Sequence, residues 1–124
     1  MFFDISKLTQ LKAPASEERF AKLIFDNRVI KEAPLSMAYF TFKPGQIGPR
    51  HVHQSEVEVY LCTKGKGMVL IEDEPHVLTP DTLLYIPPRM FHETRNIGDG
   101  NFEFYAIFGP MVNFDNIRAW EEVS

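Results

Sequence analysis

Short apolar runs alternate with clusters of turn residues from residue 35 onward, a pattern typical of an all-β sandwich or barrel. The breaks fall at segments rich in glycine, proline and aspartate, such as Lys43-Pro44-Gly45. Each run is long enough for a strand but too short for a typical helix. The pattern predicts strands at 35–42, 56–63, 68–72, 76–78, 83–86, 92–96 and 102–108. The predicted fold class is therefore all-β.

The two ends of the chain give weaker patterns. Residues 16–25 could begin a helix at Ser16, but beside so many strands an extra edge strand is favoured. Near the C-terminus, Phe114, Ile117 and Trp120 recur every three residues after an Asn or Asp that could cap a helix. We therefore expect a short closing helix at 113–121.

Composition narrows the function classes. The 124 residues are 44% hydrophobic, which predicts one globular domain, and the net charge of −4 argues against a nucleic-acid partner. Cys62 is the single cysteine, so no intramolecular disulfide is expected. No basic, apolar leader opens the sequence, and no apolar run approaches the ~18 residues of a membrane span, so a cytoplasmic protein without membrane contact is expected.

Three histidines and a glutamate are the candidate metal ligands. His51 and His53 are two residues apart, which places both imidazoles on one face of an extended segment; Glu58 follows, and His92 lies further along. Three imidazoles and one carboxylate suit one divalent transition ion, Fe, Mn, Ni, Cu, Co or Zn. On a six-coordinate ion they would leave two positions for water or a bidentate substrate.

The spacing of these residues resembles the two sequence motifs of the cupin superfamily. The first motif, residues 45–65, matches at all five of its positions: Gly45, His51, His53, Glu58 and Gly65. The second, residues 81–96, keeps the family's proline, histidine and asparagine at Pro87, His92 and Asn96, but Asp81 and Arg89 replace its two glycines. The resemblance implies a single cupin domain over 1–124, a double-stranded β-helix or jelly-roll barrel with the metal at its mouth.

Other side chains are candidates for roles around the metal. Strand alternation places Tyr60 on the face of Glu58, where it could donate a hydrogen bond in catalysis or be a half-buried strand aromatic. Arg89 and Phe91 lie next to His92 in sequence and are candidates for substrate binding, Arg89 as an anchor for an anion. Aromatic residues that could line a pocket, or only fill a β-core, are Phe40, Phe42, Tyr85, Phe91, Phe104 and Phe108, together with Met90.

Three functions are compatible with the sequence. The first is a metal-dependent isomerase, lyase or decarboxylase acting on a small sugar-like or carboxylate metabolite. The second is an Fe(II)-type dioxygenase, and the third is a non-catalytic module that binds or senses a small ligand. The resemblance and the exposed edges of a small sheet also suggest a homodimer.

Overall fold

The computed structural model describes residues 1–123, and β-strands dominate it. Ten strands run in chain order: β1 Gln10–Lys12, β2 Arg19–Phe25, β3 Ser36–Phe42, β4 Val57–Lys64, β5 Gly67–Ile71, β6 Glu74–Leu78, β7 Leu83–Ile86, β8 His92–Asn96, β9 Phe102–Gly109 and β10 Glu121–Val123. Two short helical pieces complete the described chain, a 3-10 helix at Ile5–Lys7 and the α-helix α1 at Asp115–Arg118.

The strands form two antiparallel sheets that face each other as a double-stranded β-helix. The larger sheet has the order β10-β1-β2-β3-β9-β4-β7, and the smaller has the order β6-β5-β8. The chain changes sheets between β4 and β5, between β6 and β7, between β7 and β8, and between β8 and β9, so it crosses four times in this region. The two motifs therefore contribute to both walls of one barrel.

The core is built by strict alternation along the central strands. In β9 every second residue is buried, from Phe102 and Phe104 to Phe108, and the intervening residues are only half-buried. β4 and β8 show the same period, which turns Glu58 and His92 inward among apolar neighbours. Because side chains alternate across a strand, the hydrophobic pattern that fixes the sheet register also fixes the direction of these two polar residues.

The predicted strands are confirmed, most within one or two residues of their observed ends. The segment 16–25 contains a strand, as favoured, but β2 is not at an edge, since it lies between β1 and β3. The 68–78 hairpin turns at Glu72 and Asp73, both with positive φ, so β6 begins at Glu74. The C-terminal helix is shorter than the predicted 113–121 because the chain leaves it after four residues and pairs with β1 as β10.

None of the helices in residues 1–123 is long and apolar enough to cross a membrane.

Candidate metal centre

Three parts of the fold deliver the four candidate ligands to one point. Glu58 comes from β4 in the larger sheet, where it is paired with Phe108 of β9 on one side and Ile86 of β7 on the other. His92 begins β8 in the smaller sheet. His51 lies outside the named strands but forms an isolated antiparallel bridge with His92, closed by two backbone hydrogen bonds of 3.0 and 2.9 Å.

His53 is held by the turn that precedes His92. Its carbonyl accepts a hydrogen bond of 2.7 Å from the backbone N–H of Arg89, so the two ligand-bearing segments are joined twice. The extended backbone between His51 and His53 keeps both imidazoles on the same side, as the spacing predicts, with ring centroids 5.1 Å apart. The backbone therefore positions the rings independently of any ion.

The four ligand atoms converge on a single region. The Nε2 atoms of His92, His53 and His51 lie 2.8, 3.6 and 3.7 Å from Oε1 of Glu58. All four candidate ligand atoms lie within 4.8 Å of one another. Glu58 and His92 are buried, while His51 and His53 are half-buried on the side of the cavity.

The tautomers of two imidazoles follow from backbone contacts. Nδ1 of His51 lies 3.0 Å from the carbonyl oxygen of Pro49, and Nδ1 of His92 lies 3.2 Å from that of Met90. Because a carbonyl can only accept, each Nδ1 carries the hydrogen and each neutral ring presents its Nε2 lone pair to Glu58. A proton or a metal cation must lie between these lone pairs and the carboxylate, and hydrogen bonds of this kind orient histidine ligands in metal sites.

The electrostatics of the cluster favour an ionised carboxylate. Burial opposes ionisation of Glu58, but a proton on Nε2 of His51 or His92 supplies both a hydrogen bond and a positive charge, and these lower the pKa of the Glu58 carboxyl to about 2. Burial lowers the pKa of His51, yet its contacts with Glu58 and Pro49 outweigh burial and raise it overall. Burial, with the neighbouring imidazoles, lowers the pKa of His53, which keeps that ring neutral at neutral pH.

The donor set therefore fits a divalent transition metal. Three neutral nitrogens and one anionic oxygen, without a thiolate, match borderline first-row ions better than a closed structural zinc site. Because backbone carbonyls hold the Nδ1 hydrogens of His51 and His92, loss of the Nε2 proton leaves nitrogen lone pairs facing the ion, which is the state that binding requires.

A cavity of about 270 Å³ opens beside the cluster. Its walls are mainly aromatic and aliphatic. Four of the seven apolar candidates line it, whereas Tyr85, Met90 and Phe91 are exposed and do not. The four are joined by residues of the C-terminal segment, which gives the apolar set Phe40, Phe42, Phe104, Phe108, Val112, Phe114, Ile117 and Trp120. Three of the four candidate ligands, His51, His53 and Glu58, are among its lining residues. A molecule in this cavity would be in contact with the metal site.

A buried polar atom of the cavity wall is left without a partner. Among the described residues, Nε of Arg19 is a buried side-chain nitrogen that makes no hydrogen bond, and Arg19 lines the cavity. The Thr94 hydroxyl, also on the wall, interacts with Tyr60. Buried polar atoms are nearly always satisfied in folded proteins, so the exception at Arg19 indicates where a ligand would bind.

Tyr60 lies where strand alternation predicts, buried on β4 and lining the cavity on the same face as Glu58. Burial raises the pKa of Tyr60 well above its ordinary value, and the nearby charge of Glu58 acts in the same direction. The phenol therefore keeps its proton and can act as a hydrogen-bond or proton donor, but not as a phenolate base.

Arg89 and Phe91 are not among the residues that line the cavity. The inward position belongs to His92, so Phe91 before it is turned outward and is 44% exposed. The ring of Phe91 packs under the Arg50 guanidinium, whose carbon lies 5.2 Å from the ring centroid. Arg89 is exposed, and its Nη1 reaches only the carbonyl of Gln54, at 3.4 Å. Both side chains are thus on the outer surface of the site, and they do not contact the cavity.

The sequence did not point to the wall formed by Arg19, Thr94, Trp120 and the residues around Phe114. Arg19 carries no motif, and its position in the site depends on pairing with Phe42 across β2 and β3. The apolar period of the C-terminal segment was visible, but it indicated a helix face rather than the wall of a cavity. The position of these residues in the site therefore depends on pairing between strands that are far apart in sequence.

The sequence matches the family model for a cupin domain over residues 38–108, more than half of the chain and all four candidate ligands. Among curated proteins, the glucose-6-phosphate isomerase of Pyrococcus furiosus is 35% identical over 98 residues, covering 68% of this chain and 52% of that protein. The glucose-6-phosphate isomerase of Thermococcus gammatolerans is 28% identical over 135 aligned positions, covering 90% of this chain and 71% of that protein. The chain spans about half the length of the first of these relatives.

Solved structures share the fold at low sequence identity. A predicted oxalate decarboxylase from Thermotoga maritima superposes with a TM-score of 0.79 at 16% identity, covering 89% of this chain and 99% of that one. A sugar phosphate isomerase of the cupin superfamily from Silicibacter pomeroyi superposes with a TM-score of 0.73 at 14% identity, covering 88% and 75%. The family-model match, the barrel and the motif residues together show that this chain belongs to the cupin superfamily.

Proposed function

We propose that this protein is a metal-dependent enzyme of the isomerase type that acts on a small hydroxy-carbonyl metabolite. The observation that carries the proposal is the convergence of three imidazoles and one carboxylate beside a cavity large enough for a small molecule. An ion bound there would supply Lewis acidity, polarising a carbonyl and stabilising the negative charge that develops on its oxygen.

The residues of the chain would supply the remaining parts of the site. His51, His53, Glu58 and His92 would hold the ion and leave two of six positions for an adjacent carbonyl and hydroxyl. Tyr60 would donate a hydrogen bond to a substrate oxygen, a role supported by its position on the cavity wall beside Glu58. The aromatic walls would exclude water and so strengthen these interactions.

The names of the relatives support an isomerase and suggest the first compounds to assay. Two of the matched proteins are named glucose-6-phosphate isomerase, and a structural neighbour is named a sugar phosphate isomerase. Since the chain spans only about half of the first relative, the substrate of that protein is a hypothesis for this one.

A second candidate, an Fe(II)-type dioxygenase, is favoured by the composition of the cavity wall. Apart from the candidate ligands, no carboxylate or imidazole lines the cavity within residues 1–123, so no separate side chain is available as a general base. Oxidation by O₂ does not require such a base. A module that binds a small ligand without reaction remains the third hypothesis.

The first experiment measures the metal content of the protein, which tests whether the four candidate ligands bind an ion. Untagged wild-type protein, purified without chelators, is compared by ICP mass spectrometry with His53→Ala and with His76→Ala as a matched control. His76 lies on β6, outside the cluster. We expect near-stoichiometric metal in the wild type and in the control, and loss in His53→Ala. Wild-type protein that contains no metal and takes up none on titration would contradict a metal-dependent function.

Turnover then separates the candidates. The loaded protein is assayed under anaerobic conditions for interconversion of glucose 6-phosphate and fructose 6-phosphate and of smaller hydroxy-carbonyl compounds. Oxygen uptake is measured with the same compounds in air. Anaerobic turnover that requires the metal supports the isomerase, whereas uptake of O₂ dependent on substrate supports the dioxygenase. Saturable binding without either reaction would leave the binding module.

A further inference from the structure

Arg19 has an unusual environment at the wall of the cavity. It is the only Lys or Arg side chain that lines the cavity within the described residues. Its guanidinium carbon lies 5.8 Å from the ring centroid of Phe42 and 5.5 Å from that of Trp120. The side chain is only 11% exposed, so its charge is held against aromatic rings and largely away from water.

Only part of the guanidinium is occupied by the protein. Nη2 contacts Oε2 of Glu17, whose own side chain is 44% exposed. The buried Nε has no partner among the described residues. Nε and a terminal nitrogen form one edge of the guanidinium fork, the edge that commonly grips both oxygens of a carboxylate. An anion that replaced Glu17 at this edge would pair with both nitrogens.

We propose that the substrate is a carboxylic acid with an apolar body, and that its carboxylate replaces Glu17 as the partner of Arg19. This inference rests on the proposed function, in which a hydroxyl and a carbonyl at the other end of the substrate would bind the metal. The body would lie among the phenylalanine rings, and the carboxylate would pair with Nε and Nη2 of Arg19.

The charge balance favours a carboxylate over a phosphate ester. Among the described residues, Arg19 is the only arginine or lysine of the cavity wall, and Glu17 already offsets part of its charge. A monoanion that displaces Glu17 restores a neutral pair, whereas a phosphate dianion would leave an excess negative charge in an apolar cavity. The contact between Arg19 and the carboxylate of Glu17 shows that a carboxylate can pair with this guanidinium.

The single tryptophan provides a direct readout. Trp120 is the only tryptophan in the chain, it lines the cavity, and its ring lies against Arg19. Its fluorescence should change when an anion binds the guanidinium. The probe is 3-phenylpropionate, compared with the matched neutral 3-phenylpropanamide and with 2-phenylethyl phosphate, each titrated into metal-stripped and metal-loaded protein.

We expect 3-phenylpropionate to bind at least roughly tenfold more tightly than the amide, with or without metal, because a charge-assisted fork is lost in the amide. Arg19→Met should abolish the difference, and Glu17→Gln should tighten carboxylate binding by removing the competing anion. Arg95 and Glu93 form a similar pair two residues apart, outside the cavity, so Arg95→Met and Glu93→Gln are matched controls that should change nothing.

Several results would overturn the inference: equal affinity for acid and amide, no binding of any probe, or tighter binding of the phosphate ester than of the carboxylate. If Arg19→Met does not fold by circular dichroism, the comparison of acid with amide on the wild type and on Glu17→Gln still decides the question. If the protein binds no metal but still prefers the carboxylate, the Arg19 site is supported and the proposed metal-dependent function is rejected. Failure of the Arg19 inference can therefore be distinguished from failure of the proposed function.

Discussion

The buried carboxylate of Glu58 requires a positive charge beside it. It is 3% exposed, and three imidazole nitrogens lie within 3.7 Å of its Oε1. An unpaired buried charge is costly, so a bound cation should stabilise the folded protein. The structure thus links metal binding to stability at the level of one residue.

Stripping the metal should therefore lower the melting temperature. An ion present at ~1,000 times its dissociation constant stabilises by about 4 kcal/mol through mass action, and this contribution disappears on chelation. The check is thermal unfolding before and after EDTA, followed by addition of each first-row ion. His53→Ala should melt at the same temperature in all conditions, and a wild type that does likewise would contradict the linkage.

Tyr60 should affect turnover more than metal binding. Removing its hydroxyl in Tyr60→Phe should lower kcat roughly 100-fold, the order of effect of one positioned proton or hydrogen-bond donor, while metal content stays near that of the wild type. Tyr39→Phe is the control, because the Tyr39 hydroxyl contacts Glu103 and Thr63 and does not line the cavity. Unchanged kcat in Tyr60→Phe would assign the ring a packing role only.

At the scale of elements, β5 can approach β9 across the barrel only because residue 67 lacks a side chain. A Cβ at Gly67 would lie 2.3 Å from the ring of Phe102, which is fully buried. Gly67→Ala should destabilise the protein by about 2 kcal/mol through overpacking. Urea unfolding measures this, with Gly100→Ala as a control where a Cβ would meet nothing within 4 Å. Equal midpoints would show that the ring relaxes.

Strand positions and metal ligands could be predicted from the sequence because both depend on local periods and spacings. Turn conformations were harder: Asp81 and Arg89, which replace the family's glycines, keep the left-handed backbone with φ of 70 and 64°. Residues with a Cβ thus adopt a backbone conformation that favours glycine, so the replacement of both glycines does not prevent the left-handed turn at either position. The cavity wall around Arg19 and Trp120 could not be predicted, because it depends on pairing between segments far apart in sequence.

At the scale of the whole molecule, the outer face of β7 suggests where a second copy would bind. β7 is at one end of the larger sheet, and Leu83 and Tyr85 on it are 63% and 56% exposed beside Leu61 of β4. We predict a homodimer that covers this face. Light scattering at micromolar concentration should give twice the chain mass, and Leu83→Glu should give a monomer. Val77→Glu, at an exposed position on β6, is the control; a monomeric wild type would contradict the prediction.

One buried carboxylate joins the N-terminal strands to the C-terminal wall of the cavity. Asp26, directly after β2, is fully buried and accepts hydrogen bonds from the Phe114 N–H at 2.9 Å, the Arg28 N–H at 3.0 Å and Nη2 of Arg118 at 2.9 Å. Burial raises the pKa of Asp26, but these donors outweigh burial and lower the pKa below its ordinary value of 3.8. The ionised form therefore holds α1 and its neighbours against the barrel.

Loss of this charge should loosen the cavity wall in a pH-dependent way. Because the folded-state pKa of Asp26 is below the unfolded value of 3.8, its stabilisation is present above that pH and is lost as pH falls through the folded-state pKa. Asp26→Asn should cost about 3 kcal/mol at neutral pH, since a buried charged partner is removed, and the difference from wild type should shrink below about pH 4. Urea unfolding at several pH values measures both effects, with the exposed Asp99→Asn as the control. A constant difference between Asp26→Asn and wild type at every pH would mean that the hydrogen bonds, and not the charge, hold the C-terminal wall in place.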